Sequence, residues 1–312
     1  MKNILFYGAS VSAQSGKSGY FDNLESSEYD FMRMTFPSSQ FYNAGFYNVM
    51  NIGKLAKKPD IVFFEWSTTG ENEFDLVRLK YVLQELISNG LFIVFLILPK
   101  KDTYSNNRKC DDQLYKISAD SNIPLLDLRY VLQENNIDEV LRDNVHTSDF
   151  GAKLYANAIL EYLNSKPKSD CKNIIVDKVP NFKIMQYDLD IILHENQFLI
   201  FNYSSNLENS EIAMSHIKGP YSPIIEYIDN DELIAKHNFF DPWCYYEREN
   251  FDTLVGEAVI NKSKNKSIRL KISSDTPDYS ITKTQEVFNI PKILNIKSVY
   301  TAGISELSYS II

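Results

Sequence analysis

Ile4-Leu5-Phe6-Tyr7-Gly8-Ala9-Ser10-Val11-Ser12 opens the chain with an apolar run, a glycine and two serines in alternate positions. An apolar run this short, closed by glycine, reads as a strand buried on both faces, the pattern of a parallel sheet. Ser10 then stands at the carboxyl end of that strand, the edge at which open α/β sheets bind their ligands.

Working outward, Phe41–Ala44 ends at Gly45, Asp60–Trp66 follows Pro59, Leu91–Leu98 is closed by Pro99, and Ile123–Leu128 is apolar again; these are the expected second to fifth strands. Between Glu71 and Asn89, Leu76, Leu79, Leu83, Leu86 and Ile87 recur at helical spacing, with Gly90 where a helix would stop. Asn106–Ser121 is polar and leads to the fifth strand, and a short helix is expected near Tyr130–Asn135. Thr147 or Ser148 can cap a helix carrying Leu154, Ala158, Ile159 and Leu163 on one side. Such alternation of strand and helix predicts a parallel sheet covered by helices on both faces.

Lys166-Pro167-Lys168-Ser169 breaks this pattern, so residues 1–165 and 170–312 are expected to be separate domains. Beyond the break come short β-prone runs without helices between them: Ile174–Val176, Ile191–Leu193, Phe198–Phe201, Ile224–Ile228 and the strictly alternating Ile268–Ile272. Turn-like pieces such as Lys218-Gly219-Pro220 and Asp229-Asn230-Asp231 punctuate them, which predicts an all-β second domain, a β-sandwich or jelly roll.

A length of 312 residues agrees with two cores, and the formal charge of −9 speaks against nucleic acid as a partner. Three scattered cysteines, Cys110, Cys171 and Cys244, form no CxxC pair, so neither a disulfide framework nor a zinc site is expected. His194, His216 and His237 lack ligand spacing, and no metal or other cofactor is implied. No run approaches the ~20 apolar residues of a membrane helix, and Asn3–Tyr7 is too short for a secretory signal. A cytoplasmic protein without membrane insertion is the expectation.

Arg142-Asp143-Asn144-Val145-His146 places an acid three residues before a histidine, at the far end of the same domain. A tight turn over that spacing sets the side chains together, so that Asp143 can accept from one imidazole nitrogen while the other is free to take a proton. This is the orienter-and-base half of a hydrolytic triad, and Ser10 offers the other half.

Gly8-Ala9-Ser10-Val11-Ser12, Asn43-Ala44-Gly45 and Asp143-Asn144-Val145-His146 together, in this order, resemble the SGNH or GDSL-type hydrolase superfamily over roughly residues 1–163. The resemblance implies a flavodoxin-like three-layer fold with Ser10 as nucleophile, His146 as base and Asp143 as its partner. It also implies that the backbone amides of Ser10 and Gly45 face the oxyanion. Two positions depart from the family pattern. Ala9 stands where the first block has an acid, and Ser67-Thr68-Thr69-Gly70 stands where the third block supplies an oxyanion asparagine, whose place falls to Thr69. Glu65 reads as a buried acid near the pocket or, the favoured reading, a strand-end residue, and Asp111-Asp112 as a solvated pair.

The resemblance implies an ester hydrolase acting on O-acyl, above all O-acetyl, groups, with a carbohydrate ester or a small-molecule ester as substrate. Phe239-Phe240-Asp241-Pro242-Trp243-Cys244-Tyr245-Tyr246 reads either as filling for the sandwich core or as a candidate sugar platform in which Trp243 and Tyr245 would stack on the ligand. The alternatives are a polysaccharide O-acetyltransferase with the same triad and a non-catalytic glycan- or protein-binding module.

Overall fold

A computed structural model of the chain describes all residues except 70–71, 104–107, 166–173, 180–183, 206–209, 220, 242–246, 264–265 and 279–291. The chain forms two compact units, Met1–Asn181 and Phe182–Ile312. The expected break at Lys166-Pro167 lies outside the described residues.

In the first unit, strands β1 (Lys2–Gly8), β2 (Tyr29–Thr35), β3 (Ile61–Glu65), β4 (Phe92–Ile97) and β5 (Leu125–Asp127) make one parallel sheet in the order β2-β1-β3-β4-β5. That order is the flavodoxin-like one, whose switch point lies between the carboxyl ends of β1 and β3. Ile4 through Tyr7 are fully buried because both faces of β1 are covered. Ile4 and Phe6 share a core with Val94, Leu96, Tyr155 and Ile159. On the other face, Phe41 and Phe95 meet Phe64 edge-on at 5.5 and 5.8 Å.

The helices of this unit are α1 (Ser10–Ala13), α2 (Val49–Ile52), α3 (Leu76–Ser88), α4 (Lys109–Ser121), α5 (Ile137–Val140) and α6 (Asp149–Ser165). Asp75 caps α3 by accepting from the Val77 and Arg78 amides at 2.9 and 3.2 Å, and Gly90 follows with φ +74°, a left-handed position that suits glycine. Ser148 caps α6, its hydroxyl accepting from Gly151 N–H at 3.0 Å. A side chain on Gly151 would collide with the Val140 carbonyl, so this glycine lets α6 pack against α5.

Three expectations are corrected here. The second strand is Tyr29–Thr35, not Phe41–Ala44; the latter forms a π-helical turn, Phe41–Gly45. As an edge strand with one bare side, β2 carries Asp30 and Arg33 and so lacks an apolar signature. The polar run before β5 is the helix α4, whose narrow buried stripe of Cys110, Leu114 and Ile117 is masked by its charges. Ile174–Val176 is no strand of the second unit: it lies in the first, where Ile175 N–H donates to the Ser121 carbonyl at 3.1 Å.

The second unit contains, among the described residues, β6 (Met185–His194), β7 (Phe198–Ser205), β8 (Glu211–Lys218), β9 (Ile224–Asp229), β10 (Glu232–Asn238), β11 (Arg248–Val255), β12 (Ser267–Ile272), β13 (Ile293–Ala302) and β14 (Ile304–Ile311), with a short helix α7 (Glu257–Ile260). They form two antiparallel sheets, β11-β8-β13-β6 and β10-β9-β12-β7-β14, around one core that includes Leu193, Phe201, Met214, Tyr227 and Leu270. Counting β6 as the first strand, the orders 1-8-3-6 and 2-7-4-5 are those of a jelly roll, and β14 extends the larger sheet beyond β7. Asp229 pairs with Glu232, and the two residues between them, Asn230 and Asp231, have φ of 48° and 66°, as a primed hairpin turn requires.

His216 is fully buried in this unit, its Nε2 2.8 Å from Asp252 Oδ2. Burial holds the His216 pKa below its usual value against the pull of Asp252. The unfolded chain therefore binds the proton more readily, and stability present above pH ~6.5 is lost as pH falls. We expect the melting temperature of the second unit to drop between pH 7 and 5, and His216→Asn to shallow that slope; a slope unchanged by the substitution would remove His216 as a cause.

Candidate active site

β1 delivers Ser10 to the sheet's carboxyl edge, and the turn after Leu141 delivers His146 to the same place. Leu141 bridges Thr147, and Arg142 N–H donates to the His146 carbonyl at 2.9 Å, which closes a narrow loop around the acid and the imidazole. Within it, Asp143 Oδ1 accepts from the amides of Val145 at 3.0 Å and His146 at 2.8 Å. The same carboxylate lies 3.1 and 3.0 Å from imidazole Nδ1. A carboxylate can only accept, so Nδ1 carries a proton, and in the neutral ring Nε2 is then the acceptor. Nε2 lies 3.0 Å from Ser10 Oγ. Ser10, His146 and Asp143 thus form one hydrogen-bonded line across residues far apart in sequence.

Burial raises the Asp143 pKa, but the two amides and the imidazole outweigh it and hold the carboxyl below its ordinary value. Arg142 Nε, 3.6 Å from Asp143 Oδ2, is half exposed and contributes little through solvent.

Two neighbours hold the serine and histidine loops in register. Gln14 Nε2 donates to the Thr147 carbonyl at 3.0 Å and to the Ser18 carbonyl at 2.6 Å, and the Thr147 hydroxyl donates to Ser18 at 2.6 Å. From the β4 exit, the amides of Lys101 and Asp102 donate to the Asn144 carbonyl and side chain at 2.9 and 3.0 Å. Sequence reading offered no signal for these polar residues, because their partners are backbone carbonyls and amides on other loops.

Gly45 lies in the π-helical turn, its carbonyl accepting from the Tyr7 hydroxyl, which tethers that turn to the strand feeding Ser10. A side chain on Gly45 would press into Phe41 and Trp66, so the close approach explains the glycine. Thr69 is nearly buried after β3, and its hydroxyl donates to the Trp66 carbonyl at 3.0 Å. Trp243 and Tyr245 lie outside the described residues.

Glu65 is not a mere strand-end residue. It is fully buried, and its carboxylate accepts from Ser12 Oγ at 2.9 Å, Thr68 Oγ1 at 2.6 Å and Ala9 N–H at 3.3 Å. Burial pushes its pKa up, opposed by those three donors and by the charge of Arg108. A lone acid ending the apolar run Ile61–Phe64 was the available signal. Asp111 is likewise buried rather than solvated: Arg108 grips it in a fork at 2.8 and 2.9 Å, while Asp112 is exposed. Arg108 also donates to the carbonyls of Ser67 and Leu98, clamping the ends of β3 and β4.

No family model and no curated protein matches the sequence. Solved structures do match. A two-domain esterase active on acetylated mannans superposes with a TM-score of 0.63 at 14% identity, covering 97% of this chain and 91% of its own. An acetyl xylan esterase matches with a TM-score of 0.41 at 20% identity, over 52% of this chain and 99% of its own. A GDSL-like lipase from Bacteroides thetaiotaomicron matches with a TM-score of 0.38 at 11% identity, over 52% and 88%. The first match covers residues of both units. The chain therefore shares the two-domain fold of that structure, a flavodoxin-like α/β unit followed by an all-β unit.

Proposed function

We propose that the protein is a serine esterase that removes O-acetyl groups from a carbohydrate. The observation that carries this reading is the line of hydrogen bonds from Ser10 Oγ through His146 to Asp143. In the first half-reaction His146 Nε2 takes the hydroxyl proton as Oγ attacks the ester carbonyl, and Asp143 stabilises the imidazolium that results. Collapse of the tetrahedral intermediate breaks the ester C–O bond, and His146 returns the proton to the departing sugar oxygen. Water, deprotonated by the same nitrogen, then attacks the acyl carbonyl, the bond from that carbon to Ser10 Oγ breaks, and His146 returns the proton to Oγ as acetate leaves.

The sugar and the acetyl group are supported by two observations: the esterase that shares the two-domain fold is active on acetylated mannans, and the sequence of the second unit includes the aromatic run around Trp243. A fluorophosphonate probe followed by peptide mass mapping tests the chemistry, with an adduct on Ser10 expected. Acetate release from acetylated mannan, compared with a small aryl acetate, tests the substrate class. A folded protein that neither labels at Ser10 nor releases acetate would overturn the proposal.

In this proposal the amides of Ser10 and Gly45 and the Thr69 hydroxyl face the oxyanion. Because that hydroxyl must first leave the Trp66 carbonyl, its net contribution falls below the usual 10²–10³ for an oxyanion donor, and Thr69→Val should lower kcat about tenfold. Steady-state rates on an aryl acetate check this; an unchanged kcat would hand the role to the backbone amides.

A further inference from the structure

We propose that Glu65 is a positioning residue that joins the serine turn to the loop after β3, holding the two sides of the active site at a set separation. The inference rests on the serine-esterase reading and concerns a residue that touches neither the triad nor an ester.

The geometry argues for a carboxylate acting as a two-sided clamp. Oε2 accepts from Ala9 N–H and Ser12 Oγ, which flank Ser10 on either side, and Oε1 accepts from Thr68 Oγ1, the neighbour of Thr69. The Ser12 hydroxyl spends its proton on Glu65, so the Tyr20 hydroxyl, 2.6 Å from Ser12 Oγ, must donate to it. The relay therefore runs from Tyr20 through Ser12 to Glu65, with Thr68 and Ala9 arriving from other directions, and every proton points toward the carboxylate. The strand exit is pressed against the same residue: Ala9 N–H also reaches the Glu65 carbonyl at 3.2 Å, and a side chain on Gly8 would collide with that oxygen. Ala9 itself contributes no acid to this turn, so the charge that organises it comes from the adjacent strand.

A glutamine at this position makes the test specific. Its amide has one acceptor and one donor group facing three donors. With its NH2 toward Ala9 it would oppose a backbone N–H that cannot turn away, so the oxygen must stay on Ala9 and Ser12 and the NH2 must face Thr68. The Thr68 hydroxyl must then rotate to accept, which exchanges a charge-assisted hydrogen bond for a weaker neutral one and loosens the hold on its loop. Glu65→Gln and Thr68→Val should therefore damage the same contact.

We expect each variant to lower kcat on an aryl acetate about 10- to 100-fold, the size of effect that a misplaced reacting group produces, with KM changed less than threefold. The rate of Ser10 labelling by the fluorophosphonate should fall in parallel. The double variant should be no slower than the slower single one, because both remove one shared interaction. A merely structural role would lower the folded fraction while leaving kcat per labelled site intact, and that result overturns the proposal. So does a kcat within twofold of the unsubstituted protein in folded Glu65→Gln and Thr68→Val. Should Glu65→Gln fail to fold, Thr68→Val alone decides by the same kcat criterion. If the unsubstituted protein is active and labelled while both variants match it, only this inference falls; if it is inert toward probe and esters, the esterase reading falls and takes this one with it.

Discussion

Replacing Ser10 or His146 by alanine should reduce aryl acetate turnover by ~10⁴, and the double replacement should cost scarcely more than either alone. Ser10 Oγ and His146 Nε2 share one hydrogen bond at 3.0 Å, so removing either end removes the same step, the transfer of a proton during attack. Residual catalysis would then come from binding and from the oxyanion amides, which neither substitution touches. Both side chains lie at the surface edge of the sheet rather than in the core, so thermal unfolding should be little altered. Additive losses, or a serine variant with near-normal turnover, would dissolve the idea of a shared unit.

Asp143→Asn should be nearly as damaging, with a loss of about 10⁴ in kcat at neutral pH, and for a reason visible in the turn. The asparagine oxygen can keep the two amide hydrogen bonds now made by Oδ1 to Val145 and His146, so the loop should survive. Its NH2 then faces imidazole Nδ1, which must become the acceptor. The ring proton moves to Nε2 and points at Ser10, where a bare nitrogen is needed. Preserved melting behaviour with collapsed kcat is the expected pair of results, measured on one preparation. A loss below tenfold would show that Asp143 does no more than shape the turn.

The Thr69, Glu65 and His216 substitutions carry smaller effects because each perturbs an environment rather than a transferred proton. The Glu65 effect is the most informative of them, since it separates the loop that carries Thr68 and Thr69 from the turn that carries Ser10.

Much of the first unit was legible in the sequence because its strands are buried on both faces. Ile4–Tyr7, Ile61–Phe64 and Leu91–Leu98 have few polar residues to confuse the pattern, and Ser148 and Gly90 mark helix ends by local chemistry. The Asp143–His146 spacing was equally local, since one turn brings the pair together whatever the rest of the chain does. In the second unit, the alternation of Ile268, Leu270 and Ile272 with Arg269 and Lys271 marked a strand with one buried face. What the sequence determined by itself was therefore the set of elements whose partners lie a few residues away, or whose burial is so complete that composition alone declares it.

Tertiary structure decided the rest. The edge strand Tyr29–Thr35 needed β1 beside it, since charged Asp30 and Arg33 are tolerated only where one side of a sheet is open. The jelly-roll order depends on pairings such as β6 with β13, from His194 with Ile293 to Met185 with Thr301, which lie far apart in the chain and leave no periodic trace in either segment. The buried acids Glu65 and Asp111 look like surface residues in composition, and only their donors, Ser12, Thr68 and Ala9 for one and Arg108 for the other, make burial affordable. A buried charge is stable when its partners are supplied from several elements at once, and that convergence exists only after the chain has folded.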